Sequence, residues 1–185
     1  MDQPDTARRI VVTLVAGDPG NVTQQVLEAL EGASEALGVT LVAGAAYGHL
    51  ESLEWAASRS RQQVTIVRDL AAPASFFVSA DLAVCAGGAT ANEMAILGVP
   101  AVVLILSETQ ADAARALDAE GMAVCAGAPD RAWILDAVES LRRDAKGRRK
   151  MAARGRACFD GLGRVRVLEE AEAISGGHRG GDALA

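Results

Sequence analysis

The residues best suited to chemistry lie together in the run CAGGATANE, residues 85–93. Gly87-Gly88 lets the backbone turn sharply and approach a ligand closely. Helix-forming composition follows from Ala89 to Leu97, with Met94 and Leu97 three apart on one face. Gly98 stands where a left-handed residue ends a helix, and Pro100 blocks continuation. A helix that begins on glycines leaves unpaired N–H groups and a positive dipole end facing outward, which is a seat for phosphate. Thr90 adds a hydroxyl in the first turn. Glu93, one turn further in, would repel a phosphate but can accept hydrogen bonds from sugar hydroxyls, as acidic residues do with ribose. The bland alternative is a tight turn followed by a surface acid. His49 stands alone at a helix entrance, where a solvent-facing or capping role is the ordinary one. The other histidine, His178, lies near the C-terminus, so no candidate base has a supporting partner. The three cysteines are far apart and show no C-x-x-C spacing, so no metal site is expected. Cys85 and Cys125 sit in apolar runs and are expected as buried core residues in a reducing compartment.

The elements that must position these residues alternate. Residues 10–16 (IVVTLVA) form a β-branched run and the first expected strand. Further strands are expected at 39–43, 64–67, 82–85, 101–106 and 122–125. The turn signal GDPG at 17–20 precedes a helix capped by Asn21 or Thr23, with Val22, Val26, Leu27 and Leu30 inward and Gly38 as its end. Helices are also expected over 49–60, 73–78, 89–97 and onward from 107–110 to Glu120. Phe76 and Phe77 read as packing residues. Asp130 caps a helix with Trp133, Ile134, Ala137, Val138 and Leu141 on its buried face. Basic helices follow, broken at 160–163. Six short strands alternating with helices call for an α/β fold, a Rossmann-like three-layer sandwich with one parallel sheet and helices on both faces. Ligands in such sheets sit outside the carboxyl ends of the strands, so the loops at 17–21, 68–70, 86–90 and 107–110 can line one cleft. The expected division is a flexible lead-in over 1–8, one domain over 9–174 and a disordered glycine-rich tail over 175–185.

Half of the 185 residues are apolar and only 3% are aromatic, so the core is aliphatic. A net charge of −6 argues against general nucleic-acid binding. From Arg142 to Arg166 the chain nevertheless carries about +8, leaving about −14 on the rest. That segment reads first as a solvated helical face, with a docking surface for an acidic partner or an anionic membrane as the alternative. The longest apolar run, 99–106, is too short to span a bilayer, and the N-terminus has no signal-peptide core. A soluble, cytoplasmic protein is expected.

With these loops in place, the run CAGGATANEMAILGVPAVVLILSETQ resembles the nucleotide-sugar half of glycosyltransferases of the B fold. Within them it is most similar to the group holding the lipid-II-forming N-acetylglucosamine transferase and the UDP-sugar hydrolase of pseudaminic acid synthesis. The hydrolase pattern falls on Gly87, Gly88, Ala89, Thr90 and Glu93, and the family's later glutamine on Gln110. VTLVAGDPGNVTQQVLEAL resembles the start of that half, through Asp18, Pro19, Asn21 and Thr23. FDGLGRVRVLEEA resembles a family run, on Asp160, Gly161, Gly163, Arg166 and Val167. The similarity spans about residues 9–172. Two positions depart from it: Val15 and Ala16 stand where the family often has a glycine pair, and Thr109 stands for an asparagine.

The resemblance implies a single C-terminal domain of this fold that binds a UDP-sugar. It implies that Gly87 to Thr90 hold the diphosphate, Glu93 the ribose, and the backbone around Val67 and Arg68 the uracil. Gln110 would contact the donor sugar or a phosphate, with Asp18 among the binding residues. It implies no metal and no cofactor. The family's N-terminal half binds the acceptor and carries the catalytic base. The expectation is therefore a donor-binding half of a glycosyltransferase or UDP-sugar hydrolase, acting with a separate N-terminal-half partner or as a homo-oligomer. The alternative is a non-catalytic nucleotide or nucleotide-sugar binding module.

Overall fold

The structure, a computed structural model, describes residues 3–14, 17–68, 70, 73–159 and 162–176. Six strands form one sheet: β1 (Arg9–Thr13), β2 (Gly38–Ala43), β3 (Gln63–Arg68), β4 (Leu82–Ala86), β5 (Ala101–Leu104) and β6 (Val124–Gly127). All neighbours are parallel, in the order β3-β2-β1-β4-β5-β6. Val12 pairs with Leu41 on one side and Val84 on the other, which fixes the register at the centre. The runs RIVVT, LAVCA and AVVL are apolar because both faces of a parallel sheet are covered.

Alternate residues along each strand go to opposite layers. Ile10, Val12, Leu82, Val84, Val102 and Leu104 join one cluster with α1 (Val22–Leu30), α2 (Leu50–Arg59) and α6 (Arg131–Arg143). Val11, Ala83, Cys85, Ala101 and Val103 join the other with α3 (Pro73–Phe77), α4 (Ala89–Leu97) and α5 (Ala111–Ala119). The expected three-layer α/β sandwich with a six-stranded parallel sheet is what the chain forms. The order reverses direction between β1 and β4, so the loops leaving their carboxyl ends diverge and open a crevice at the edge.

Several local expectations are corrected. The first helix ends at Leu30, and Gly38 instead begins β2. The N-terminal segment is held at two points: the Ala7 N–H donates to the Arg142 carbonyl at 2.9 Å, and Gln3 is buried beside Arg148. The basic segment is not simply a solvated face. Arg142 and Arg148 are almost fully buried. Arg148, on α7 (Ala145–Cys158), donates to the Leu141 carbonyl at 2.8 Å and so closes the end of α6. Further along α7, Gly155 lies against the Ala95 backbone and Arg156 donates to the Leu97 carbonyl at 3.1 Å. α7 thereby grips α4 at its far end and leaves its first turn at the crevice. α8 (Gly163–Gly176) exposes Val165, Val167, Leu168 and Ile174. Val15, Ala16, Asp160, Gly161 and the tail from residue 177 lie outside the described residues.

Candidate functional site

Two α-helices start at the carboxyl edge next to the crevice, and they are finished differently. Asp18 is 1% exposed, and its two carboxylate oxygens accept from the N–H groups of Val22 and Thr23 at 2.9 and 2.8 Å. The α1 tip is thus filled by the chain's own anion. Asn21, expected as a cap, is left-handed (φ 48°) and makes no side-chain cap bond; its amide oxygen accepts from the Tyr47 hydroxyl at 2.6 Å. Burial pushes the Tyr47 phenol up to about 12, and the Asp18 charge adds to the effect. His49 touches Tyr47 edge-on and reaches the Pro19 carbonyl at 3.3 Å, so it braces this loop. Asp18, a candidate ligand contact in the sequence, therefore has its side chain committed to the fold.

The α4 tip is open. Gly88 precedes the helix without a side-chain cap, and no acidic residue lies in the first turn. The Gly87 N–H donates to the Leu104 carbonyl at 2.9 Å and the Gly88 N–H to the Ala86 carbonyl at 2.8 Å. These two amides build the turn rather than face outward. Among the described residues, the N–H groups of Ala89 and Thr90 meet no acceptor. The free donors begin one residue later than the glycine pair.

The glycines serve different needs. A Cβ on Gly87 would lie 2.8 Å from Ala114 Cβ and 3.3 Å from Val103 Cγ1, so close packing against α5 demands glycine there. A Cβ on Gly88 would approach nothing nearer than Gln110 Nε2 at 3.8 Å. The space before Gly88 is open to a ligand.

Gln110 ends a 3₁₀ turn, Glu108–Gln110, after β5. Its amide oxygen accepts from the Leu106 N–H at 3.1 Å. That bond fixes which end of the amide points where. The oxygen is held by the loop, and the Nε2 group with its two donors faces Gly88. Ala89, Thr90 and Gln110 all border the space in front of Gly88, so their donors can stabilise an anion there.

A cavity of about 550 Å³ surrounds that point at the ends of β1, β2 and β4. Gly88, Ala89, Thr90, Glu93 and Gln110 line one side, and Val42, Leu70 and Phe77 supply an apolar wall. Glu93 is exposed on the same helix face. Beneath it, burial pushes the Cys85 thiol up to about 12, with the Glu93 charge contributing, so Cys85 is an inert core residue. Cys125 is only half-buried and Cys158 is exposed. Val67 and Arg68 end β3 on the outer edge of the sheet and do not line this cavity. The structure thus brings together Gly88, Ala89, Thr90, Glu93 and Gln110, sets Gly87 behind them, and leaves Val67 and Arg68 apart. Leu70 belongs to the 68–70 loop expected to line the cleft, whereas the wall residue Phe77 was missed, because an apolar side chain reads as core until the topology places it at a strand end. Among the described residues, no group of histidine, cysteine and carboxylate side chains could hold a metal ion, and no helix is long and apolar enough to cross a membrane.

No family model and no curated protein matches the sequence. Solved structures do. MurG of Acinetobacter baumannii superposes with a TM-score of 0.71 at 19% identity, over 84% of this chain and 46% of that one. The sucrose-phosphate synthase of Thermosynechococcus elongatus gives 0.72 at 13% identity, over 94% and 47%. The spinosyn rhamnosyltransferase SpnG complexed with thymidine diphosphate gives 0.60 at 20%, over 89% and 45%. At these identities the likeness is one of fold. The chain has the Rossmann-like domain fold of B-fold glycosyltransferases, spans about half the length of the structures it matches, and fits their C-terminal half.

Proposed function

We propose that this chain is the donor-binding domain of an enzyme that acts on a nucleotide sugar, with a UDP-sugar as the ligand. The diphosphate sits on the open α4 tip, held by the Ala89 and Thr90 amides, the Thr90 hydroxyl and the Gln110 amide group. Glu93 accepts from the ribose hydroxyls. The base lies toward the apolar wall and the β3 end, where the backbone of Val67 and Arg68 offers edge contacts.

One observation carries this reading: of the two helix tips beside the crevice, one is filled by an internal carboxylate and the other presents unpaired donors to a cavity. An anion seat left empty by the protein itself is the feature a phosphate group requires. The same geometry supports the reaction class. When the sugar C1–O bond breaks, the electron pair goes to the diphosphate oxygen, and donors already in place meet that charge without rearrangement. The acceptor, a hydroxyl in a transferase or water in a hydrolase, is delivered by a complementary half, on the same polypeptide or on another. That half also supplies the base.

Calorimetry of the chain with UDP, uridine and inorganic pyrophosphate tests the reading. UDP is expected to bind more tightly than either fragment, and Thr90→Val to weaken UDP and pyrophosphate but not uridine. If neither UDP nor pyrophosphate binds, the donor-site assignment is wrong.

A further inference from the structure

The basic segment divides by what each cation touches. Arg142 and Arg148 are buried, Arg143 pairs with Glu139 at 2.5 Å, and Arg154 pairs with Glu120 at 3.2 Å. Arg156 is tied to the Leu97 carbonyl. Lys146, Arg149 and Lys150 are exposed and, among the described residues, have no hydrogen bond or ion pair. Their spacing of three and four residues sets them on one face of α7. A shortage of carboxylates does not explain this, since the chain has 24 acids against 18 lysines and arginines. Nor does the helix tip, which Asp144 closes by accepting from the Gly147 N–H at 2.8 Å. Cations so near a helix start oppose the dipole and repel one another, so the fold gains nothing from them.

Beside this face lies a cavity of about 490 Å³, between the end of α5, the start of β6 and the corner joining α6 to α7. Its lining is apolar at Val124, Ala137, Leu141 and Met151 and cationic at Lys150 and Arg154. Lys150 thus belongs both to the unpaired face and to the cavity. None of these residues lines the cavity at the α4 tip. The free cations call for carboxylates or phosphates, and the apolar lining calls for an aliphatic side chain next to them. An acidic protein segment with one aliphatic residue supplies both. An anionic membrane fits less well. A helix that binds one also inserts large apolar side chains, and among the described residues no exposed large apolar side chain lies on α7. Glu120 and Asp144 also line the cavity and repel an unbroken anionic surface there.

We propose that the Lys146, Arg149 and Lys150 face of α7 and the cavity beside it dock an acidic segment of a partner protein. Its carboxylates meet the three cations, and its aliphatic side chain enters the cavity. The docking site is separate from the donor site and does not depend on the nucleotide-sugar reading.

Fluorescence anisotropy with a labelled peptide Glu-Glu-Leu-Glu-Glu and its counterpart Glu-Glu-Ser-Glu-Glu reads the two parts separately. The leucine peptide is expected to bind more tightly than the serine peptide, and both to weaken as salt is raised. Reversing the face with Lys146→Glu, Arg149→Glu and Lys150→Glu together should weaken the leucine peptide at least about tenfold. Carboxylates near a helix start favour the helix, so this variant keeps the fold. Ser140 is exposed and lines the cavity, so Ser140→Trp obstructs it from outside the core. That change should bring the leucine peptide down to the affinity of the serine peptide. Absence of salt-sensitive binding of the leucine peptide, or binding indifferent to the charge reversal, overturns the docking face. Equal affinity of the two peptides for the parent chain overturns the role of the cavity. Tighter binding to phosphatidylglycerol vesicles than to the leucine peptide overturns the protein partner in favour of a lipid surface.

Discussion

Replacing each glycine of the pair by alanine separates folding from binding at this site. A Cβ on Gly87 would meet Ala114 Cβ at 2.8 Å, with the Gln110 carbonyl and Val103 Cγ1 both at 3.3 Å. None of these can retreat easily, because Ala114 and Val103 are fully buried. Overpacking of that kind costs about 1–3 kcal/mol. With an unfolding entropy of about 2.1 cal/mol/K per residue, the melting temperature of this 185-residue chain should fall by about 3–8 °C. The same change one residue later has no such neighbour: a Cβ on Gly88 comes no closer than 3.8 Å to Gln110 Nε2, and its φ of −111° lies outside the left-handed region that favours glycine. Gly88→Ala should therefore melt within a degree or two of the parent, about the effect of a surface substitution. On the donor-site reading proposed above, however, its methyl group would crowd the space through which a phosphate oxygen reaches the Ala89 and Thr90 amides. Displacing an anion from one or two charge-assisted bonds costs about 2–4 kcal/mol, a rise in Kd of roughly 30- to 900-fold. Thermal melts and UDP calorimetry on the two variants give the answer together. Parent-like UDP affinity in Gly88→Ala would falsify the seat, and a parent-like melt in Gly87→Ala would contradict the packing argument.

Further outcomes follow from individual side chains. Glu93→Ala, on an exposed position, should leave the melt unchanged and weaken UDP by about 1.5–3 kcal/mol, with pyrophosphate unaffected; equal weakening of both would remove Glu93 from the ribose. Tyr47 is the sole tyrosine, so phenolate absorbance reports it directly. Its midpoint should lie near 12, against about 10 for a free phenol. Because the fold favours the neutral phenol, this contribution is complete below about pH 10 and is lost as pH rises toward the folded value. An unshifted titration in the folded protein would show that the phenol is not buried against Asp18. At the other edge of the sheet, burial opposes the Asp81 charge, but the Arg9 side chain and the Arg8 and Arg9 N–H groups outweigh it and hold its carboxyl below the usual range. Its stabilisation is present above about pH 3.9 and is lost as pH falls through the folded value. Asp81→Asn should be less stable at neutral pH and lose less on acidification, as measured by denaturant melts at several pH values.

The local alphabet was legible where one element answers to its own residues. The run from Leu82 to Pro100 folds as strand, turn and helix over the expected residues, and Gly98 takes the left-handed conformation at the helix end. The central strands were legible too, because burial on both faces requires continuous apolar runs, but β5 stops at Leu104 rather than residue 106 and β6 runs Val124–Gly127 rather than 122–125. Contacts that join distant parts of the chain were not. The α1 cap is Asp18 rather than Asn21 or Thr23, since the loop folds back on the helix. Trp133 fits the apolar spacing of α6 yet is largely exposed, its ring lying against Gly127 at the end of β6 rather than in the core. Arg142 and Arg148 are buried because the ends of α6 and α7 meet the N-terminal segment, a meeting that composition cannot show.

The amino-acid order determined by itself that a helix would start after two glycines and that a parallel sheet would carry it, because turn chemistry and apolar periodicity act over a few residues. Which helix tip stays open, which amides are already engaged and which side chains share a cavity were decided by tertiary structure. Those outcomes depend on residues far apart in sequence, such as Gly87 with Ala114 and Gln110 with Gly88, being brought within a few ångströms of one another.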